Sequence, residues 1–151
     1  MTKPQNFMER ALEVAEQAGA RGEVPVGAVI VDPASGDVLA CAGNRTEELA
    51  DPTAHAEVLA IREAAAKLGA ARLVGGDLYV TLEPCPMCAG AISFARIRRL
   101  YFGASDPKGG GVEHGARVFD HPTCHHRPEV YGGIDEARAA TLLKEFFSAR
   151  R

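Results

Sequence analysis

The sequence predicts an α/β fold in which helices cover both faces of a β-sheet. Two observations indicate it. Short runs rich in Val and Ile recur along the 151 residues, and the longer segments between them carry apolar residues at helical spacing. Strands that alternate with helices in this way form layered α/β folds. We find no internal repeat, low-complexity tract or linker, so we expect one domain over residues 1–151.

The first half of the chain predicts one helix, two strands and a loop. Apolar residues three and four apart predict a helix from about Asn6 to Ala20. The apolar run from Val24 to Val31 predicts a strand, and Ser35-Gly36-Asp37 predicts a turn into a second strand at Val38 to Ala42. Asn44 to Thr53 then predicts a loop.

The middle of the chain predicts a helix, a strand and a second helix. His55 to Leu68 has a broad apolar side and ends at Gly69, which is a typical helix stop. Asp77 to Leu82 predicts a short strand. Pro84-Cys85-Pro86 predicts the start of a helix that runs from about Met87 to Ala95, because proline suits the first helical position.

The last third predicts two short strands and a closing helix. Leu100 to Gly103 and Glu129 to Tyr131 are the strand candidates, and Gly109-Gly110-Gly111 marks a loop between them. Ile134 to Arg150 predicts the final helix.

Composition narrows the class of protein. No stretch of 18 apolar residues occurs, so no transmembrane helix is expected. Residues 1–6 lack the charged-then-apolar order of a signal peptide, and a cytoplasmic protein is therefore expected. The net charge of −3 argues against a surface that coats nucleic acid. Local basic patches are still possible, because residues 96–99 hold three arginines and Arg150-Arg151 end the chain.

Two fragments, Thr53–Glu57 and Glu83–Cys88, carry the residues typical of a metal site. His55, Cys85 and Cys88 are good zinc donors, and three protein ligands leave a fourth position for water, as in catalytic zinc sites. A Cys-x-x-Cys pair in a reducing compartment indicates a metal or redox site. A redox site would leave His55 and Glu57 without a role, so we favour one zinc ion.

The predicted helices bring these donors together. Cys85 and Cys88 fall in the first turn of one helix, where the positive helix end favours thiolates, and His55 begins another helix. We therefore expect the metal between two helix N-termini. Glu57 is assigned as general acid/base and not as a ligand. It would take a proton from water activated by zinc and return it to the ring nitrogen and the leaving ammonia.

The remaining cysteines and histidines favour simpler roles. Cys41 lies in a predicted strand and is expected to be a buried small apolar residue. Cys124, His125 and His126 are expected in a surface loop or in structural hydrogen bonds, in preference to a second metal site. No regular spacing identifies a fourth ligand among the six candidates, which are Cys41, His114, His121, Cys124, His125 and His126.

The combination His55-x-Glu57 with Pro84-Cys85-x-x-Cys88 is the signature of zinc nucleobase deaminases. Seven segments extend the likeness, and the sequence resembles the bacterial tRNA adenosine deaminases over nearly its whole length. The segments are Gly22–Val29, Gly43–Arg45, Asp51–Glu57, Thr81–Ala91, Phe102–Gly110, His126-Arg127 and Phe146-Phe147. The last three are more discriminating than the zinc motif, which identifies only the deaminase superfamily.

The resemblance implies a fold, a reaction and partners. The implied fold is the cytidine-deaminase-like three-layer α/β/α sandwich with a five-stranded mixed sheet. The implied reaction converts adenosine to inosine at the wobble position of an arginine tRNA, with one Zn²⁺ per subunit. The partners would be the tRNA anticodon stem-loop and a second copy of the chain, since residues of a homodimer partner complete the RNA site in this family.

The resemblance also implies substrate residues. Asn44 matches the residue that hydrogen-bonds the flipped base, although a turn cap would be its simplest structural role. The walls and orienting groups of the pocket match Pro25, Val26, Ala56, Leu82 and Glu83, with the backbone acting at Ala56 and Glu83. Asp106 and Lys108 match a loop that meets the anticodon ribose-phosphate.

Phe147 and Arg150 match a C-terminal helix that lies along the RNA. One of the adjacent Phe146 and Phe147 is expected in the core, because neighbouring helical residues face different ways. Residues 98–99 remain open between an RNA contact and a solvated edge.

Two alternatives stay open at this point. Pro86 and the stretch Asp51 to Arg62 resemble guanine deaminases as much as tRNA deaminases, so free guanine is a competing substrate. A non-catalytic, zinc-containing RNA-binding protein is the alternative of another class. Glu57 argues against it, because a structural site has no use for an unliganded carboxylate beside the metal.

Overall fold

The computed structural model describes residues 4–150. Five strands form one sheet, and four α-helices and one short 3₁₀ helix surround it. The elements in chain order are α1 (Pro4–Ala20), β1 (Gly27–Asp32), β2 (Asp37–Gly43), α2 (Ala56–Leu68), β3 (Asp77–Leu82), α3 (Pro86–Ala95), β4 (Arg99–Ala104), the 3₁₀ helix (Val118–Asp120), β5 (Glu129–Tyr131) and α4 (Glu136–Ser148).

The sheet is mixed, with the strand order β2-β1-β3-β4-β5. β1 pairs antiparallel with β2 and with β3, whereas β3, β4 and β5 run parallel to one another. A tight turn is enough to join β1 to β2. The parallel pair β3 and β4 needs a crossover, and α3 supplies it. The predicted five-stranded mixed sheet is confirmed.

The helices lie on both faces of the sheet, as predicted, and each face has its own core. On one face α1 and α4 pack against alternate strand residues such as Val29 and Tyr79. On the other face α2 and α3 pack against Ile30, Leu78 and Phe102. Because both faces are buried, β1 is apolar from residue 27 to residue 31 and carries a charged residue only at its end, Asp32.

The close approach of α1 to the sheet depends on a glycine. A Cβ atom at Gly27, the first residue of β1, would overlap the carbonyl oxygen of Ala11 in α1. The backbones can meet at this distance only without a side chain.

Several predicted boundaries are wrong by a few residues. β1 begins at Gly27 and not at Val24, because residues 24–26 precede the sheet, and Val24 and Val26 line a pocket described below. α4 is shorter than predicted, and the 3₁₀ helix was not expected. β3 and β5 have the predicted bounds. Across residues 4–150, no helix has the length and apolar character that crossing a membrane requires.

Candidate metal and substrate site

Two helix N-termini and the end of a strand meet at one edge of the sheet. β3 ends at Leu82, and three residues later Cys85 is the N-cap of α3. His55 is the N-cap of α2, so it directly precedes the helix and is not its first residue. Both N-cap residues have extended backbone conformations, with ψ of 151° at His55 and 171° at Cys85.

This arrangement brings three metal-ligating atoms together. His55 Nδ1 lies 3.6 Å from Cys85 Sγ and 3.5 Å from Cys88 Sγ. With Zn–S bonds of about 2.3 Å and Zn–N bonds of about 2.0–2.1 Å, tetrahedral coordination requires an N···S separation of about 3.6 Å. Both N···S distances therefore match tetrahedral zinc coordination, and all three ligand atoms lie within 4.8 Å of one another. These three residues form the sole such group of His, Cys, Asp or Glu side chains in the described part of the chain.

The two thiols differ in their affinity for a proton. A hydrogen bond from Cys88 lowers the pKa of Cys85 to about 5 against the effect of burial, and the nearby His55 contributes to the shift. The same pairing, together with burial, raises the pKa of Cys88. One thiolate is thus favoured beside His55, and a bound cation would displace the proton of the second thiol.

Glu57 lies in the first turn of α2, one residue beyond its start, and is only 4% exposed. Burial raises the pKa of its carboxyl group to about 7, and the negative charge of Cys85 adds to the effect. Hydrogen bonds from its own backbone amide and from Cys88 oppose the shift. A carboxyl group with a pKa near 7 can both accept and donate a proton at neutral pH.

A pocket of about 310 Å³ opens beside this cluster. Its size is at the lower end of the range for small-ligand sites, so it suits one nucleobase better than a base pair. Its lining combines residues from the β3 end, the two helix starts and two loops: Val24, Val26, Asn44, Thr46, His55, Glu57, Leu82, Glu83, Cys85, Asp106 and Gly109.

Asn44 has a fixed orientation in the pocket. Its Oδ1 accepts a hydrogen bond of 2.8 Å from the backbone N–H of Ala56, the first residue of α2. Asn44 therefore caps α2 from outside the helix, while its Nδ2 group remains a donor for a ligand. The Ala56 N–H is thus already paired with Asn44, and the orienting role of the backbone near Ala56 stays a prediction.

Of the other residues predicted to form the pocket walls, two line the pocket and one does not. Val26 and Leu82 line the pocket, and Val24 lines it as well, although it was not predicted. Pro25 is buried elsewhere, close to Gly19 at the end of α1. Alternate residues of an extended segment point to opposite sides, which explains why Pro25 differs from its two neighbours.

Of the predicted RNA-contacting residues, only Asp106 lines the pocket. Its Oδ1 accepts hydrogen bonds from the backbone N–H groups of Lys108 and Gly109 and so shapes the loop that carries them. The Lys108 side chain is exposed outside the pocket lining.

The C-terminal residues Phe147 and Arg150 lie apart from the pocket. Neither phenylalanine of the pair is in the core, contrary to the prediction. Phe147 is 50% exposed, and the half-buried Phe146 packs under the Arg150 guanidinium, 3.6 Å from the ring centroid. Residue 151 lies outside the described residues.

Two buried glutamates border the pocket loops, and only one of them was predicted to be near the site. Glu23 accepts hydrogen bonds from the N–H groups of Glu47 and Glu48 and from the Thr46 hydroxyl. Glu83 accepts hydrogen bonds from residues 106–114. The sequence offered one indication that Glu23 is buried and has polar partners: it is a charged residue directly before the apolar run that leads into β1.

The remaining polar candidates have structural partners. Cys124 hydrogen-bonds the Ser93 hydroxyl. His126 donates from its backbone N–H to the Ser93 hydroxyl oxygen and from its ring Nε2 to the carbonyl oxygen of Ile97, as the structural interpretation predicts. Cys41 lies in β2, as expected, but it is only half-buried, whereas a buried residue was expected.

Two arginines at the start of β4 also have partners within the fold. Arg98 forms a bidentate ion pair with the buried Asp77, and Arg99 pairs with Glu129. These contacts favour the structural interpretation of residues 98–99 over an RNA contact.

A family model and a similar relative both place the chain among the deaminases. The family described as the cytidine and deoxycytidylate deaminase zinc-binding region matches residues 1–104. A tRNA-specific adenosine deaminase from Agrobacterium fabrum is 60% identical over 151 residues, covering 100% of this chain and 98% of the relative.

Two solved structures are informative. One comes from a study of A-to-I editing by tRNA:A34 deaminases at the wobble position. It matches with a TM-score of 0.89 and 62% identity, over 91% of this chain and 99% of that chain. A guanine deaminase from Nitrosomonas europaea matches with a TM-score of 0.80 but only 26% identity, over 98% of this chain and 86% of that chain.

Proposed function

The chain belongs to the cytidine and deoxycytidylate deaminase family, and from that premise we propose that it hydrolyses adenosine to inosine at the wobble position of tRNA. The observation that carries the reaction is the cluster of His55, Cys85 and Cys88 beside a pocket whose lining includes the buried Glu57. The choice of substrate is supported by the 60% identity to a tRNA-specific adenosine deaminase.

The residues divide the chemistry among them. His55, Cys85 and Cys88 would hold a zinc ion, which when bound would act as a Lewis acid and lower the pKa of water. Glu57 takes a proton from the attacking water and delivers it to the ring nitrogen N1 as the C–O bond forms at C6. Glu57 then transfers the second proton to the amino group. The C–N bond breaks, and ammonia leaves a C6 carbonyl, so that adenosine and water give inosine and ammonia.

Asn44 and the pocket walls position the base. The Nδ2 group of Asn44 donates to an acceptor on the purine edge, while Val26 and Leu82 enclose its faces. Because the pocket has a volume of only about 310 Å³, the wobble nucleotide must leave the anticodon stack before it reacts.

We assign the RNA contacts as part of this proposal. Asp106 and Lys108 would meet the anticodon ribose-phosphate, and Phe147 and Arg150 would lie along the stem-loop. The Oδ2 atom of Asp106 has no hydrogen bond to any of the described residues, so it can accept one from a ribose hydroxyl. Arginine tRNA with a wobble adenosine is the specific substrate that we propose.

One experiment tests the reaction and its main competitor together. The purified protein is incubated separately with an arginine tRNA carrying a wobble adenosine and with free guanine, and inosine and xanthine are measured. We expect inosine in the tRNA and no xanthine. Xanthine without inosine would identify a guanine deaminase and overturn the proposal.

We further propose that the chain forms a homodimer through α3. Met87, Gly90 and Phe94 are spaced for one helix face, and Met87 and Phe94 are 38% and 64% exposed. This apolar face lies on the helix that carries Cys88, so a partner bound there would lie next to the site.

Light scattering should give twice the chain mass, and Phe94→Glu should give a monomer. Leu68→Glu, at another half-exposed apolar residue, is the matched control.

Finally, we propose that residues 1–151 act as a single deaminase domain in the cytoplasm, where tRNA is processed. Limited proteolysis of the zinc-loaded protein should leave no smaller stable fragment. A protected fragment ending near residue 104 would contradict the single domain.

A further inference from the structure

The loop of residues 106–114 has almost no regular structure, yet it borders the pocket through Asp106 and Gly109. Its backbone amides are not paired in a helix or a sheet. Several of them converge instead on one side chain, the carboxylate of Glu83, which follows the last residue of β3.

Each oxygen of Glu83 has a separate set of donors. Oε2 accepts hydrogen bonds from three successive N–H groups, those of Val112, Glu113 and His114, at 3.2, 2.9 and 3.0 Å. Oε1 accepts one from the N–H of Asp106 at 3.0 Å and lies 2.8 Å from Nδ1 of His114. Successive backbone N–H groups around one anion form a typical anion-binding nest, and here the anion belongs to the protein itself.

The side chain of Glu83 is fully buried, so these hydrogen bonds are shielded from competition with water. Burial alone would raise the pKa of Glu83, but the N–H of Asp106 and the donors of His114 lower it below the ordinary value. Charge-assisted hydrogen bonds of this kind are stronger than neutral ones.

The close packing of the loop also explains why residues 110 and 111 are glycines. A Cβ at Gly110 would lie 2.5 Å from Glu83 Oε2, and one at Gly111 would lie 2.6 Å from the backbone nitrogen of Pro86. The loop is wrapped so closely around the carboxylate that side chains at these positions would push it away.

The anchoring continues to the pocket. Glu83 fixes the backbone of Asp106, and Asp106 Oδ1 in turn accepts from the N–H groups of Lys108 and Gly109. The positions of the two groups assigned to the ribose-phosphate therefore depend on one buried carboxylate.

We propose that Glu83 is a positioning residue that presets the 106–114 loop for RNA and does not itself touch the substrate. This inference rests on the proposed function, because it concerns the RNA-contacting loop of the same site. Its consequence is specific: loss of the carboxylate should weaken RNA recognition more than it weakens the chemical step.

The test is Glu83→Gln, which replaces one accepting oxygen by an amide donor that faces the N–H groups. We expect KM for an anticodon stem-loop to rise about tenfold, as follows if the loop adopts its binding conformation only one-tenth of the time. The value of kcat should fall less than KM rises, zinc should remain at one ion per chain, and hydrogen exchange should increase within residues 106–114.

Asp77→Asn is the matched control, because Asp77 is a buried carboxylate at the opposite end of the same strand and pairs with Arg98. It should lower the melting temperature and leave KM unchanged. Gly110→Ala is a second route to the same effect, since it displaces the loop and leaves the carboxylate in place. If Glu83→Gln fails to fold, Gly110→Ala carries the test.

The outcomes separate the two proposals. A wild-type protein that deaminates the stem-loop, with KM unchanged within twofold in Glu83→Gln and Gly110→Ala, overturns the positioning role alone. Loss of zinc in Glu83→Gln also overturns it, because Glu83 would then support the metal site and not the loop. A wild-type protein without activity on the stem-loop overturns both proposals.

Discussion

Asn44 caps α2 and, in the proposed function, also contacts the base, and two substitutions separate these two roles. Its Oδ1 accepts a hydrogen bond from the Ala56 N–H at 2.8 Å, whereas its Nδ2 has no hydrogen-bond partner among the described residues, and the side chain belongs to the pocket lining. Asn44→Ala removes both contacts. Asn44→Asp keeps an oxygen for the N–H of α2 but replaces the donor toward the base with an acceptor.

The two substitutions should differ in their effect on folding stability. Loss of a helix N-cap costs about 1 kcal/mol of folding free energy, so Asn44→Ala should be destabilised by about that amount. Asn44→Asp should remain close to wild-type stability, because a carboxylate suits a helix N-terminus.

Activity should follow the opposite order. A lost hydrogen bond of about 1–1.5 kcal/mol lowers kcat/KM about tenfold in Asn44→Ala. In Asn44→Asp an acceptor faces the purine acceptor, so the loss should be larger, about a hundredfold. Thermal unfolding and single-turnover deamination of an anticodon stem-loop measure the two quantities. Wild-type activity in Asn44→Asp would refute the assigned base contact, and wild-type stability in Asn44→Ala would refute the cap.

Four further predictions concern the metal site, the core and the RNA surface. Glu57→Ala should keep its zinc and lose deamination by about 10²–10⁴-fold; zinc analysis checks this, and metal loss would make Glu57 a ligand. Cys85→Ala and His55→Ala should each lose zinc and melt at a lower temperature, because metal binding is coupled to folding; unchanged zinc content in either variant would contradict the assigned ligands. Gly27→Ala should be destabilised by several kcal/mol in chemical unfolding, since its Cβ would overlap the Ala11 carbonyl oxygen. Binding of tRNA should weaken steeply with salt in a filter-binding titration, because phosphate contacts release counterions; a flat salt profile would contradict the RNA surface.

The elements that were predicted with exact bounds have clear punctuation on both sides. β3 follows Gly75-Gly76 and is followed by Glu83-Pro84. The start of β1 was missed for a physical reason. An apolar run reports burial and not strand pairing, and Val24 and Val26 are apolar because they line the pocket.

The candidate site likewise has a part that the sequence predicts and a part that it does not. The spacing of His55, Glu57, Cys85 and Cys88 predicts a zinc centre, because helix starts restrict where such residues can point. The loop contacts of Glu83 could not be predicted, because four of its five partners are backbone N–H groups, which leave no mark in the sequence. Only Gly109-Gly110-Gly111 hinted at a tightly wrapped loop.

The metal site imposes a structural requirement on the two helices that form it. N-cap positions usually hold Ser, Thr, Asp or Asn, whose side chains accept an orphan N–H of the first turn. Here His55 and Cys85 occupy these positions, and neither side chain makes a cap hydrogen bond. The two helices compensate differently: Asn44 caps α2 from a neighbouring loop, and Pro86 at the first position of α3 removes one N–H that would need a partner.

This compensation gives Pro86 a structural meaning that is independent of the base. It stabilises the start of α3 whatever the enzyme deaminates, so its likeness to guanine deaminases carries little information about the substrate. Asn44 is different, because the atom that caps α2 fixes which group faces the pocket. Under the proposed function, helix capping and base orientation therefore depend on one side chain, and a substitution at Asn44 that changes the base contact can be chosen to leave α2 intact.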